Sequence, residues 1–204
     1  MLKDKIKVAV FVSGGGTNLQ AILESEKRGE IPDAEIKLVL SNNPNAYALE
    51  RAKNFGVKAV CVDKNEYKTL SEREKKTVEI LEEEGIELIV LAGYLSILSE
   101  DFTKKYQNKI INVHPSLIPS FCGKGYYGLK VHEEALKYGV KVTGATVHFV
   151  NEIPDGGKII MQKAVAVEDG DTPEILQKRV MREAEWILLP ASLEKVAKEL
   201  RENN

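Results

Sequence analysis

Three residue types are scarce in this chain: its 204 residues include two cysteines, three histidines and one tryptophan. Cys61 and Cys122 stand apart, which fits a reducing cytoplasm and not a disulfide scaffold. Cys61 lies in the apolar run KAVCV and reads as core. Two Cys and three His in no zinc-ligand spacing lead us to expect no metal. An excess of either charge is missing too, with 29 Lys+Arg against 31 Asp+Glu and a formal net charge of -2. That balance offers no concentrated positive field for a phosphate backbone, so nucleic acid is not an expected partner. No apolar run reaches the roughly 18 residues of a membrane span, and a membrane is not expected either. The opening MLKDKIKVAVFVSGGG has a basic flank and a short apolar run. The run ends in glycines without a small-residue cleavage site, and it reads as a strand and not a leader. Internal repeats, low-complexity stretches and Pro/Ser-rich linkers are also missing. With 43% hydrophobic and 29% charged residues, the chain reads as one compact soluble domain.

What it does contain is alternation. Residues 7–12 form a β-branched run that ends at glycines, and 19–27 read as a helix. A second strand over 35–40 is followed by the turn Ser41-Asn42-Asn43-Pro44-Asn45. Residues 47–55 read as a helix that Gly56 ends. Strands over 58–62 and 88–91 flank a charged helix over 71–84. Uninterrupted apolar strands between helices mean burial on both faces, hence a doubly wound, mostly parallel α/β sheet. Ligands in such sheets bind beyond the carboxyl ends of the strands, where strand order reverses. Chemistry is expected just after Val12, Leu40, Leu91 and Val113. The later part differs. Strands over 140–150 and 158–167 flank the hairpin-like loop Asn151-Glu152-Ile153-Pro154-Asp155-Gly156-Gly157, which gives an antiparallel C-terminal part. The last helix opens at Asp171-Thr172-Pro173-Glu174, with Asp171 as its cap, and runs towards Leu200 with a kink expected at Pro190.

Two segments carry chemistry. Ser13-Gly14-Gly15-Gly16-Thr17-Asn18 joins the first strand to the first helix, where glycines and a helix N-terminus suit an anion. No Gly-Lys-Ser/Thr follows, so Walker chemistry is out. The third position of a dinucleotide fingerprint is Leu19, and no acid closes the second strand. A single phosphate fits better, and a plain strand-to-helix turn is the other reading. In Ile110-Ile111-Asn112-Val113-His114-Pro115 a period of two puts Asn112 and His114 on one face, and Pro115 stops the strand there. The amide suits a developing oxyanion and the imidazole suits proton movement, as in acyl transfer. A pair of polar groups that merely closes a strand end is the alternative. Asp155, in Asp-Gly-Gly, reads as a turn residue on spacing alone.

A set of motifs then runs in order through nearly the whole chain. It comprises Ser13 to Asn18 with Leu19-Gln20-Ala21-Ile22, Ser41-Asn42, Leu91-Ala92-Gly93-Tyr94, Asn112-Val113-His114-Pro115-Ser116-Leu117, Thr146-Val147-His148-Phe149-Val150 and Asp155-Gly156-Gly157. On these motifs the chain resembles the phosphoribosylglycinamide formyltransferases, the folate-dependent enzymes of purine synthesis. The resemblance implies a Rossmann-like formyltransferase fold, a single domain over 1–204, with a phosphate-binding β/α half over 1–106 and a catalytic and folate-binding half over 107–204. It implies transfer of a formyl group from 10-formyltetrahydrofolate, the co-substrate, to the primary amine of glycinamide ribonucleotide, with no metal. Asn112 and a protonated His114 would stabilise the oxyanion, and Asp155 would raise the imidazole pKa. Gly16, Thr17 and Asn18 would hold the phosphate. Arg182 and Glu185 would complete that pocket, facing the same way as i,i+3 neighbours. Leu95, Ser96, Ile97 and Leu98, with Asn112, would line the pterin pocket. Lys68 is the nearest basic residue for the folate tail, where relatives use position 70, here Leu70. Ser96 replaces a frequent Arg and Trp186 a frequent His. Segment 121–128 is longer than in many relatives and reads as a mobile lid or a plain surface loop. His132 and His148 read as supporting or core residues.

The partners implied are small molecules, for a cytoplasmic monomer or homodimer. Rivals with the same core are methionyl-tRNA formyltransferase, with an added C-terminal domain, and formyltetrahydrofolate hydrolase, with an added N-terminal one. A chain of 204 residues is expected to accommodate neither. A non-catalytic phosphate-binding module would explain the glycine loop but leave Asn112, His114 and Asp155 unused.

Overall fold

The computed structural model describes residues 4–203. Seven strands form one sheet in the order β3-β2-β1-β4-β5-β6-β7. Strand β1 (Ile6–Val12) is β-branched and buried on both faces apart from Lys7, which is what a central strand with helices above and below requires. It pairs in parallel with β2 (Ala34–Ser41) and with β4 (Leu88–Leu91). Strand β3 (Lys58–Cys61) adds to β2, and β5 (Ile110–His114) to β4, both in parallel. The chain therefore builds outward from β1 in one direction and then returns to start again on the other side. The gap between the ends of β1 and β4 is the switch point, and loops leaving it diverge to make a cleft. Strands β6 (Val142–Phe149) and β7 (Ile159–Ala166) continue the sheet antiparallel, as the hairpin-like 151–157 loop predicts.

Period two along β1 sorts its side chains into two cores. Val8, Val10 and Val12 join the layer under α1 (Thr17–Lys27), α2 (Tyr47–Asn54) and α7 (Trp186–Asn203). Ala9 and Phe11 join the layer under α3 (Leu70–Glu83) and α4 (Glu100–Lys105). There Phe11 packs edge-on to Tyr94 at 5.4 Å between ring centroids, and Phe102 lies 5.0 Å from Tyr106. Pairs of this kind add about 0.5–1.5 kcal/mol beyond burial. Phe11 thus anchors both the sheet and the segment after β4.

Several expected boundaries move. Helix α1 begins at Thr17, two residues before the expected Leu19, because Gly16 turns the chain at φ 73° and acts as its cap. Helices α4 and α5 (Leu129–Tyr138) were not anticipated. They are short, and α4 begins where the Ser99 hydroxyl accepts the Phe102 N–H. The last-helix cap is Thr172, whose hydroxyl accepts the Ile175 N–H. Asp171 instead takes both arms of the Arg179 guanidinium at 2.5 and 2.7 Å. That charge-assisted pair outcompetes a cap bond for the carboxylate. Helix α6 (Pro173–Val180) passes through a π turn (Met181–Glu185) into α7. The irregularity thus lies before Pro190 and not at it. Pro190 withholds the N–H that the Trp186 carbonyl would take, and the register changes in the turn just upstream.

Candidate active site

Four loop ends meet over the switch point and enclose a cleft of about 650 Å³. The glycine loop forms one corner. A Cβ on Gly16 would sit 2.6 Å from the Ala48 Cβ, so only glycine lets α1 start against α2. Arg51 braces this loop, donating from Nε to the Gly15 carbonyl at 2.8 Å and from Nη1 to Gln20 at 3.0 Å. Thr17 lines a smaller hollow of about 320 Å³ beside it, with Arg51 and Trp186. Asn18 turns inward to the main cleft, and its Nδ2 donates to Glu185 Oε2 at 2.6 Å. Burial pushes the Glu185 carboxyl above its ordinary range, and the Asn18 donation only partly offsets that. The π turn separates Glu185 from its expected companion. Glu185 is buried, whereas Arg182 is exposed and lies outside the linings of both hollows among the described residues. In a turn wider than an α-helix, a spacing of three no longer gives a common face.

The segment after β4 forms a second wall. Ser13 fixes it by accepting the Leu95 N–H at its hydroxyl at 2.9 Å and by donating its own N–H to the Gly93 carbonyl. Ser96 lines the cleft and accepts from Asn42 Nδ2 at 2.6 Å, so its side chain is tied to the end of β2 with its own O–H still able to donate. Leu95 and Ile97 are 68% and 72% exposed, an unusual state for large aliphatics beside a cleft. Leu98 is half-buried and packs onto the Phe11 core. Lys68 is exposed, and its carbonyl accepts from Arg73; its side chain is outside the cleft lining.

The centre lies at the end of β5. Asn112 and His114 face the same side, as period two predicts, and pair across the sheet with His148 and Thr146 of β6. His114 is 4% exposed. Its Nε2 lies 2.9 Å from the Phe121 carbonyl and its Nδ1 3.5 Å from Asp155 Oδ2. A carbonyl can only accept, so Nε2 carries the proton and the Nδ1 lone pair turns towards Asp155. Burial lowers the His114 pKa more than the Asp155 charge and the Phe121 carbonyl raise it. The Asp155 charge raises the imidazole pKa as expected, and burial outweighs it. For Asp155 burial works against the charged form. The His148 and His114 imidazoles and the Gly123 N–H, at 2.8 Å, outweigh it, and the carboxyl sits below its usual range. Asp155 holds φ 56°, a left-handed conformation that Asp tolerates better than most residues.

Two features have no sequence signal, and a third, His132, reads from the sequence only as a supporting or core residue. The Phe121 carbonyl and the Gly123 N–H are backbone groups, and any residue type supplies them. They come from segment 121–128, whose Gly123 to Gly128 stretch lines the cleft. His132 of α5 also lines it, with 0% exposure and both ring nitrogens without a partner among the described residues. Burial and the nearby His114 push its pKa down to about 4.

An amide donor, a buried imidazole and a carboxylate thus line one cleft beside the end of β5, an arrangement chemically suited to group transfer at a carbonyl. The formyl transferase family model matches residues 6–193. The chain is 42% identical over 185 residues to the phosphoribosylglycinamide formyltransferase of Haemophilus influenzae, covering 90% of this chain and 84% of that protein. It is 46% identical over 194 residues to the chicken trifunctional purine biosynthetic protein adenosine-3, covering 95% of this chain but only 19% of that one. The chain thus spans about a fifth of the length of such trifunctional relatives. A solved glycinamide ribonucleotide transformylase from Symbiobacterium toebii superposes with a TM-score of 0.89 at 39% identity, covering 96% and 89% of the two chains. This chain belongs to the formyl transferase family.

Proposed function

We propose that the chain transfers the formyl group of 10-formyltetrahydrofolate to the primary amine of N1-(5-phospho-ribosyl)glycinamide, a step of purine biosynthesis. The observation that carries this is the locked His114: a neutral ring held by the Phe121 carbonyl, with its lone pair beside a carboxylate. Burial keeps the ring unprotonated and able to take a proton from an attacking amine. Once the imidazolium forms, Asp155 stabilises it at close range. Asn112 stands on the same strand face and offers N–H donation where the formyl oxygen gains charge. The new bond joins the amine nitrogen to the formyl carbon, the bond from that carbon to the folate nitrogen breaks, and the proton the amine loses reaches the folate nitrogen by way of the His114–Asp155 pair.

The remaining residues bind. Gly16, Thr17 and Asn18 present the N-terminus of α1 to the phosphate. Glu185, paired to Asn18, faces the ribose hydroxyls. Arg182 reaches the phosphate only by swinging in from its exposed position. The wall 93–98 suits a flat heteroaromatic donor: Ser13 fixes its backbone, Asn42 holds the Ser96 hydroxyl, and Leu95 and Ile97 stand exposed above the cleft. Lys68 lies further out, suited at most to a solvent-exposed anionic tail. The two cysteines are unpaired, and no helix among the described residues is long and apolar enough to cross a membrane. Both support a cytoplasmic location in this reading.

Tetrahydrofolate formation, followed spectroscopically with and without glycinamide ribonucleotide, tests the reaction. Release only with the amine is expected. Release without it points to a hydrolase, and no release points to a binding module.

A further inference from the structure

The cleft is poor in positive charge for a site that takes a phosphate ester. Asp155 and Glu185 are its carboxylates, and Lys124 is the only lysine or arginine among the described residues that line it. Arg182 and Lys68 lie outside that lining. Arg51 is taken up by the Gly15 carbonyl and Gln20 beside the smaller hollow. Lys124 is exposed, and it makes no hydrogen bond or ion pair with any described residue. Its ammonium is a compact charge on a flexible stem, which suits a phosphate met as a point charge.

The backbone under this free side chain is held. The Gly123 N–H donates to Asp155 Oδ2 at 2.8 Å, and the Tyr126 N–H closes a turn onto the Gly123 carbonyl at 3.1 Å. Gly125, the third residue of that turn, has φ 92°, the sign that a type II turn requires there. Lys124 thus stands at the tip of a turn pinned to the carboxylate beside His114. A second ammonium is close by: a Cβ on Gly125 would lie 4.0 Å from Lys130 Nζ. Lys130 also lacks a partner among the described residues, and unpaired like charges on one turn attract an anion. Residues 123–128 line the main cleft together with Asn18, His132 and Glu185. None of them lines the hollow of about 140 Å³ where Tyr94 and 96–98 meet 150–155. Lys124 therefore belongs to the side of the phosphorylated amine and not to the pterin side.

We propose that Lys124 is a substrate-binding residue whose ammonium pairs with the phosphate of the amine substrate, across the cleft from the N–H groups of the glycine loop. The inference rests on the formyl-transfer reading for the identity of that substrate, but the binding it describes can be measured without turnover.

The variants are Lys124→Met, which keeps the length and removes the charge, and Lys124→Arg, which restores a cation. Calorimetric titration with glycinamide ribonucleotide, in the absence of folate, is expected to show Kd raised about tenfold in Lys124→Met, the low end for a hydrogen bond to a charged group. Lys124→Arg should recover most of that loss. The dephosphorylated riboside is the second probe. If the ammonium acts on the phosphate, Lys124→Met changes riboside affinity by less than about twofold, because the two deletions remove one interaction. A purely structural role for Lys124 would weaken both ligands alike. In the transfer assay KM for the ribonucleotide should rise about tenfold in Lys124→Met, with kcat and KM for the formyl folate within about threefold. Unchanged ribonucleotide affinity, equal losses for ribonucleotide and riboside, or a rise confined to the folate KM overturns the proposal. Failure of formyl transfer in a protein that binds the ribonucleotide through Lys124 counts against the reaction alone.

Discussion

Replacing Asp155 by Asn takes one negative charge away from two imidazoles and alters little else. Asn tolerates the left-handed backbone at this position, where φ is 56°. Its side-chain oxygen can still accept the Gly123 N–H that Asp155 takes at 2.8 Å. What disappears is the attraction between the carboxylate and an imidazolium at His114, whose Nδ1 is 3.5 Å away. Unit charges roughly 4 Å apart at an effective dielectric constant of ~20 attract by about 4 kcal/mol. Burial of His114, at 4% exposure, limits screening by water. The charge on His114 develops only as it takes the proton, because burial holds the resting ring neutral. The loss therefore falls on the transition state and not on substrate binding. A loss of about 3–4 kcal/mol corresponds to a fall of roughly 10²–10³ in kcat. KM for the ribonucleotide should stay within about threefold, since its phosphate end is bound elsewhere in the cleft. The assay is tetrahydrofolate release at saturating and sub-saturating amine, with a thermal melt to confirm that the variant folds. A folded Asp155→Asn enzyme with kcat within threefold of wild type would refute the assigned roles of both Asp155 and His114.

Three other variants probe separate parts of the argument. Gly16→Ala sets a Cβ 2.6 Å from the Ala48 Cβ at a φ of 73°. It should raise KM for the phosphorylated substrate at least about tenfold while sparing inhibition by folate analogues; an unchanged KM removes the phosphate from this loop. Glu185→Gln should raise KM for the ribonucleotide yet stabilise the apo-protein at neutral pH. Because burial raises the folded-state pKa of Glu185, stability is lost as pH climbs from the unfolded value through the folded one; a lower melting temperature at pH 7 contradicts this. His132 has the opposite sign. Its folded pKa of about 4 lies below the ordinary 6.5, so stability is complete above about 6.5 and drains away as pH falls towards 4, by up to about 3 kcal/mol. Denaturant midpoints of His132→Gln should therefore decline less between pH 7 and 4.5 than those of wild type, and parallel declines would show that the buried imidazole is not the group responsible.

The sheet was readable in advance because burial on both faces leaves a composition signature. Runs such as Leu88 to Leu91 have no polar side, and only a central parallel strand accommodates that. The pairing of Asn112 with His114 was readable for an equally local reason: a strand repeats every two residues. The same logic failed at Arg182 and Glu185, where the assumption of α-helical spacing met a π turn. It also failed at Asp171, where a bidentate bond to Arg179 outcompeted capping. Helix α4, six residues long, carries too few turns for its period to show, and α5 directly follows the glycine-bearing 121–128 segment, which reads as loop.

Local chemistry written in the chain therefore marks the candidate side chains and the strand ends they occupy. The surroundings of those side chains belong to the fold. The Phe121 carbonyl, seven residues on, holds one nitrogen of His114, burial outweighs the opposite charge of Asp155 in lowering its pKa, and the Gly123 N–H steadies that carboxylate. Backbone carbonyls and N–H groups are the same at every residue. A sequence cannot mark which of them will face a particular imidazole, and that choice belongs to the three-dimensional path of the chain.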